Sequence, residues 1–208
     1  MSVSRRSVVF VSAFLGFGGV AFAQAPAKDP SPAPVRIRGA IDAINGNEMR
    51  LVTRGGEHVT LRLADNADVR VIVPLAIDAI KPGSFIGTAA MPQPDGTLTA
   101  REVHVFPEAM RGTGEGHRPW DLETGGTMTN GTVGDFAVAN GRMLTLTYKD
   151  GEQKVFVPEN VPVITYESGS KADLKTGEHV FVTGTHNADE SLTATRIAVG
   201  KNGLVPPM

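Results

Sequence analysis

The residues best suited to proton transfer or metal binding are five histidines, His58, His104, His117, His179 and His186, in a chain without cysteine. None of them falls in an H-x-x-x-H or H-E-x-x-H spacing, and no acidic calcium loop is present. The serine-hydrolase elbow, the phosphate loop and the dinucleotide fingerprint are missing as well. Asp65 with Asp68, and Asp189 with Glu190, lie in turn-like sequence that suits solvated loop acids. Ser168 and Ser170 flank Gly169 without the strand-to-helix context a serine nucleophile needs. No catalytic residue is predicted, and a non-enzyme is expected. An enzyme would have to draw on scattered acids and on Tyr148 or Tyr166, the only tyrosines.

One stretch departs from an ordinary spacer. Phe106 to Leu122 contains His117, Arg118, Pro119, Asp121 and the single tryptophan, Trp120. Leaving an indole in water forgoes about 2 kcal/mol of burial. Trp120 is therefore expected to dock, either between folded units or against a ligand. Pro119 stiffens its approach, and Asp121 is positioned to cap the next turn. Trp120, Asp121 and Arg118 are the predicted ligand-binding residues. The alternative is a copper-type site: His104, Met110 and His117 offer imidazole and thioether ligands suited to a cuprous ion, with Trp120 over the cation. Apart from that alternative, no cofactor is expected.

The elements that must position these residues come from self-similarity. Gly83-Ser-Phe-Ile-Gly-Thr and the later Leu98-Thr-Ala match Gly177-Glu-His-Val-Phe-Val and Leu192-Thr-Ala, with 17 positions from glycine to alanine in both. Gly39 pairs with Gly131, Gly56-Glu57 with Gly151-Glu152, and Ile80-Lys81 with Leu174-Lys175, at offsets of 92, 95 and 94. Two repeats are expected, 35–106 and 127–199, joined by a linker at 107–126 and followed by a tail at 200–208. Each reads as short strands. Val59, Leu61 and Leu63 alternate as in a half-buried strand, and Lys149-Asp150-Gly151 is a hairpin signal. Single helical turns are expected near 75–80 and 171–174. No long amphipathic helix pattern is present. The predicted fold class is all-β: two tandem small OB-like barrels of five to six strands each, joined by an ordered linker.

Gly39 with its apolar neighbours, the Asn45-Gly46 turn, the Leu/Ile-Lys-x-Gly step and the closing Gly96-Thr-Leu-Thr-Ala resemble a bacterial exported small β-barrel domain of unknown function, often found in tandem copies. The resemblance covers both repeats and not the linker. It implies a fold and an address, and no activity.

Residues 1–23 read as a signal peptide. Arg5 and Arg6 precede an apolar run from Val8 to Val20, and Ala21-Phe22-Ala23 forms the cleavage site. Ser4 to Val8 also resembles a twin-arginine signal, with valines where that motif usually carries Phe and Leu. Residues 24–34, with Pro26, Pro30, Pro32 and Pro34, read as an extended tether. Removing the leader takes the formal charge of the 208-residue chain from −2 to −4. With aromatics at 6%, that charge disfavours nucleic acid as a partner. A periplasmic or secreted protein is expected, without a stable membrane anchor after cleavage. Its partner would be an envelope protein or a small ligand.

Overall fold

The computed structural model describes residues 34–137 and 142–206. The predicted leader and all of the tether except Pro34 lie outside them. Thirteen strands follow one another along the chain: β1 (Val35–Asn45), β2 (Glu48–Thr53), β3 (His58–Pro74), β4 (Phe85–Pro92), β5 (Leu98–Ala100), β6 (Val103–Val105), β7 (Gly116–Pro119), β8 (Thr127–Ala137), β9 (Arg142–Tyr148), β10 (Gly151–Val157), β11 (Val163–Ser168), β12 (His179–His186) and β13 (Leu192–Gly200). Three single 3-10 turns, Ile77–Ala79, Glu108–Met110 and Lys171–Asp173, are the helical segments among the described residues. The all-β expectation therefore holds, and two of those turns fall where the sequence places helical turns.

The hydrogen-bonding pattern closes a five-stranded barrel. β1 pairs with β2, β2 with β3, β3 with β13, β13 with β12, and β12 returns to β1. Its core holds Ile41, Leu51, Leu63 and Val71 from the first repeat, with Val180, Val182, Ala194 and Ile197 from the second. Five further strands run β8–β9–β10–β5–β4 and back to β8. That second ring is held at β5 by only two register positions with β10. It encloses Ile86, Leu98 and Val103 from the first repeat together with Val133, Leu144, Leu146 and Val155 from the second.

Strands therefore do not sort by repeat. Each ring takes three strands from one half and its closing strands from the other. The physical reason is that alternation along β4, β5, β12 and β13 specifies a buried face without specifying which half covers it. β3 and β11 run antiparallel between the rings, from Ile164 beside Pro74 to Ser168 beside Arg70. Gly39 and Gly131 share one local detail. A Cβ on Gly131 would lie 2.7 Å from the Thr147 carbonyl oxygen, and one on Gly39 would clash with the corresponding oxygen of Val52.

A third cluster fills the space between the rings, with Ile72, Phe85, Phe106, Ile164, Tyr166, Phe181 and Ala198 buried and Met110, Trp120 and Leu204 against them. The stretch expected to be a linker contributes β7, which pairs with β8. No helix among the described residues is long and apolar enough to cross a membrane.

Candidate functional site

Strand β4 is flanked by β6 and β8, and one cross-strand row carries unusual residues. Gly87 lies opposite His104 on β6 and opposite Asn130 on β8. A Cβ on Gly87 would clash with the His104 ring and would lie 2.6 Å from Asn130 Oδ1. The absence of a side chain at 87 is what lets the imidazole and the amide lean over the strand.

His104, 2% exposed, shares a hydrogen bond between Nδ1 and the Tyr166 hydroxyl at 2.9 Å. Glu102 Oε1 lies 3.9 Å from the same nitrogen, and Glu102 has no exposed surface. Burial pushes the Glu102 carboxyl up to about 8, against the opposing pull of Arg38 and Arg54. Burial, reinforced by Arg118, lowers His104 to about 3. Burial, with a contribution from Glu102, raises the Tyr166 phenol well above its usual range. All three groups are therefore neutral near pH 7, which is how a protein interior tolerates them. The Glu102–His104 approach is accordingly not an ion pair. Both Glu102 carboxyl oxygens, His104 Nε2, Asn130 Oδ1 and Trp120 Nε1 are buried without a hydrogen-bond partner among the described residues.

His104 and Asn130 form part of the floor of a cleft of about 440 Å³ between the two rings. Its apolar wall includes Phe106, Met110, Trp120, Phe181 and Ile197. Arg36 lies over the Trp120 ring at 4.5 Å and Arg118 at 5.7 Å. Arg118 also donates to the Gly114 carbonyl at 2.6 Å, and Asn130 Nδ2 donates to that of Thr113 at 2.9 Å, which fixes the loop before β7. Arg36, Arg70, Arg118 and Arg196 line the cleft, against Asp68 and Glu115. Asp68 is bound to Arg70 at 2.7 Å, and Glu115 accepts the Lys149 N–H at 3.1 Å. Burial and the charge of Arg36 both lower the Arg118 pKa. The cleft thus combines an aromatic wall, excess positive charge and unused polar atoms on its floor.

Of the predicted ligand-binding residues, Arg118 and Trp120 line this cleft. Asp121 instead forms an ion pair with Arg38 at 2.8 Å. Of the predicted metal ligands, His104 and Met110 line the cleft, whereas His117 does not. Successive residues of β7 face opposite sides. Arg118 faces the cleft, and exposed His117 bonds through Nδ1 to Thr129 Oγ1 at 2.8 Å. The three ligands are therefore not brought together. Among the described residues no three His, Cys, Asp or Glu side chains are grouped to hold a metal.

Sequence reasoning passed over Gly87, Glu102, Asn130 and Arg36. The signal lay in the places where the repeats disagree: at an offset of 94, Gly87 faces Phe181, Glu102 faces Arg196 and His104 faces Ala198.

Residues 163–198, from β11 into β13, match the family model described as Domain of unknown function (DUF5666). No curated protein and no solved structure matches the chain. What the chain resembles is a β domain of unknown function.

Proposed function

We propose that the chain is a bacterial exported, non-enzymatic binding module built from a duplicated β unit, with a small ligand or a segment of an envelope partner held in the cleft between the rings. The observation that carries this reading is the floor of the cleft, where His104 Nε2 and Asn130 Oδ1 are buried and unpartnered beneath an aromatic wall. Interiors rarely leave such atoms unpaired, and a ligand that pairs them recovers part of the cost of burying them. Clefts of this size between structural units are where small ligands generally bind. The cationic apolar leader supports export, and cleavage after Ala23 gives a mature chain beginning at Gln24. The near-constant offsets support duplication. Copper handling by His104, Met110 and His117 is the lesser reading, because the surrounding arginines repel a cation.

Trp120 is the only tryptophan, so its emission reports directly on the cleft. A small-molecule screen of the mature protein is expected to yield compounds that shift Trp120 emission with one-to-one saturation. If every compound, and cuprous ion as well, leaves the emission unchanged, the binding reading fails. A cuprous shift abolished in a His104→Ala, Met110→Ala variant would establish the metal reading instead.

A further inference from the structure

The charge distribution of the cleft specifies a ligand class, an inference that rests on the binding reading above. We infer that the ligand is a small amphipathic organic anion. Its acidic head sits between Arg36 and Arg118, its apolar body lies along Trp120 and Phe181, and a polar group reaches the floor beside Gly87. Three independent features converge on this assignment.

The first is the pair of guanidinium groups. Arg36 and Arg118 both lie over the Trp120 ring, and burial together with the charge of Arg36 lowers the Arg118 pKa. Arg118 directs one nitrogen to the Gly114 carbonyl, and its remaining donors can take a carboxylate or phosphate in a two-point contact. Asp121, whose carboxyl is held low against the effect of burial by Arg38 and by the charge of Arg36, is bound to Arg38 and lies outside the cleft. The local balance is short of negative charge where an anionic head would sit.

The second feature is the apolar wall. Trp120, Phe106 and Phe181 present apolar surface to the cleft, which offers burial to a flat or aliphatic body, and a bare inorganic anion would use none of it. The third is the floor. In the tautomer in which the Tyr166 hydroxyl donates to Nδ1, His104 presents Nε2–H as a donor, with the Asn130 Oδ1 acceptor on the same side of Gly87. One hydroxyl could accept from the first and donate to the second.

The test uses the mature protein and a matched series: 2-naphthoate, its neutral amide 2-naphthamide, 2-naphthyl phosphate and inorganic phosphate, each titrated against Trp120 emission. The two naphthyl acids are expected to bind about tenfold or more tightly than the amide, and inorganic phosphate only weakly. The ratio of naphthoate to naphthyl phosphate affinity identifies the preferred head. An Arg36→Gln, Arg118→Gln variant with an unchanged circular dichroism spectrum is expected to bind acid and amide equally. The salt dependence of acid binding should fall with it. In the wild type, the 15N shift of His104 Nε2 is expected to move when 6-hydroxy-2-naphthoate binds.

Equal binding of acid and amide by the wild type would overturn the anionic assignment and leave the binding reading standing. Absence of binding by every naphthyl probe would overturn the assigned ligand class, and the binding reading itself falls only if the wider screen is silent as well. Full retention of acid preference in the double variant would remove Arg36 and Arg118 from the site, and a fixed His104 shift would remove the floor contact.

Discussion

A similar three-strand row occurs twice, once within the closed barrel and once where β4 pairs with β6 and β8, with opposite contents. In the closed barrel, Phe181 on β12 lies opposite Ala198 on β13 and Arg38 on β1, with the Arg38 guanidinium 5.0 Å over its ring. In the row across β6, β4 and β8, Gly87 takes the place of the phenylalanine, His104 that of the alanine and Asn130 that of the arginine. One row fills its middle position with a large apolar side chain and keeps a small neighbour. The other empties its middle position and lets two polar side chains lean in. In both rows the middle residue pairs antiparallel with its two neighbours, so at this position the contrast is one of side chains. Of the buried side-chain atoms left without partners among the described residues, His104 Nε2 and Asn130 Oδ1 belong to the emptied row. Two similar rows that differ in this way at a buried position point to a use for the emptied one.

The strongest way to break the comparison is to refill the emptied row. Gly87→Ala places a Cβ into the His104 ring and against Asn130. Overpacking of this kind should cost about 3 kcal/mol, read as a lower denaturant midpoint. Adding His104→Ala, the small neighbour found in the other row, should recover about half of that loss. Strict additivity of the two substitutions would show that they do not share the space.

A second difference separates the rows two residues upstream of their outer members, where buried Glu102 corresponds to exposed Arg196. Folding raises the Glu102 pKa from an ordinary 4.5 to about 8. Between those values the folded state holds the extra proton, so this contribution to stability is full below about 4.5 and is lost as pH rises toward 8. His104 acts in the opposite sense. Its pKa falls from 6.5 to about 3 on folding, so its contribution is lost as pH drops through that window. Stability should therefore rise up to about pH 4.5, stay nearly level to about 6.5, and decline by a few kcal/mol at most toward pH 8. Glu102→Gln should abolish the decline, and Arg196→Gln should leave it unchanged. A decline that persists in Glu102→Gln would place its origin in another group.

Trp120→Ala removes the half-buried indole from the cluster between the rings and should cost about 2 kcal/mol, a fall of several degrees in Tm. An unchanged Tm would mean that the ring contributes no packing. The smallest effect is expected for Asp121→Asn, which weakens a partly exposed ion pair with Arg38 and should cost about 0.5 kcal/mol. A cost several times larger would mean that Arg38 depends on Asp121 to stay over Phe181.

Local structure was legible where chemistry is local. The Asn45-Gly46 and Asp150-Gly151 turns, the alternation through Val59 and Leu63, and the short turns near 77–79 and 171–173 all follow from adjacent residues. Ring membership was not legible, because a half-buried strand encodes its buried face and not its partner. β7 was missed because four residues in a glycine- and proline-rich stretch become a strand only through pairing with β8. Within the cleft, Trp120 and Arg118 stood out by composition, and His104 and Met110 by ligand type. Gly87 and Asn130 have ordinary identities, and their role depends on lying side by side across strands more than 40 positions apart.

The central claim is that the emptied row and the tryptophan wall form one ligand site, and nuclear magnetic resonance titration of the mature protein with 2-naphthoate tests it most directly. Saturable shifts are expected together at the Gly87 amide, the Asn130 side-chain amide and the Trp120 indole N–H. Shifts confined to residues outside the cleft, or a spectrum unchanged at high ligand concentration, would contradict it.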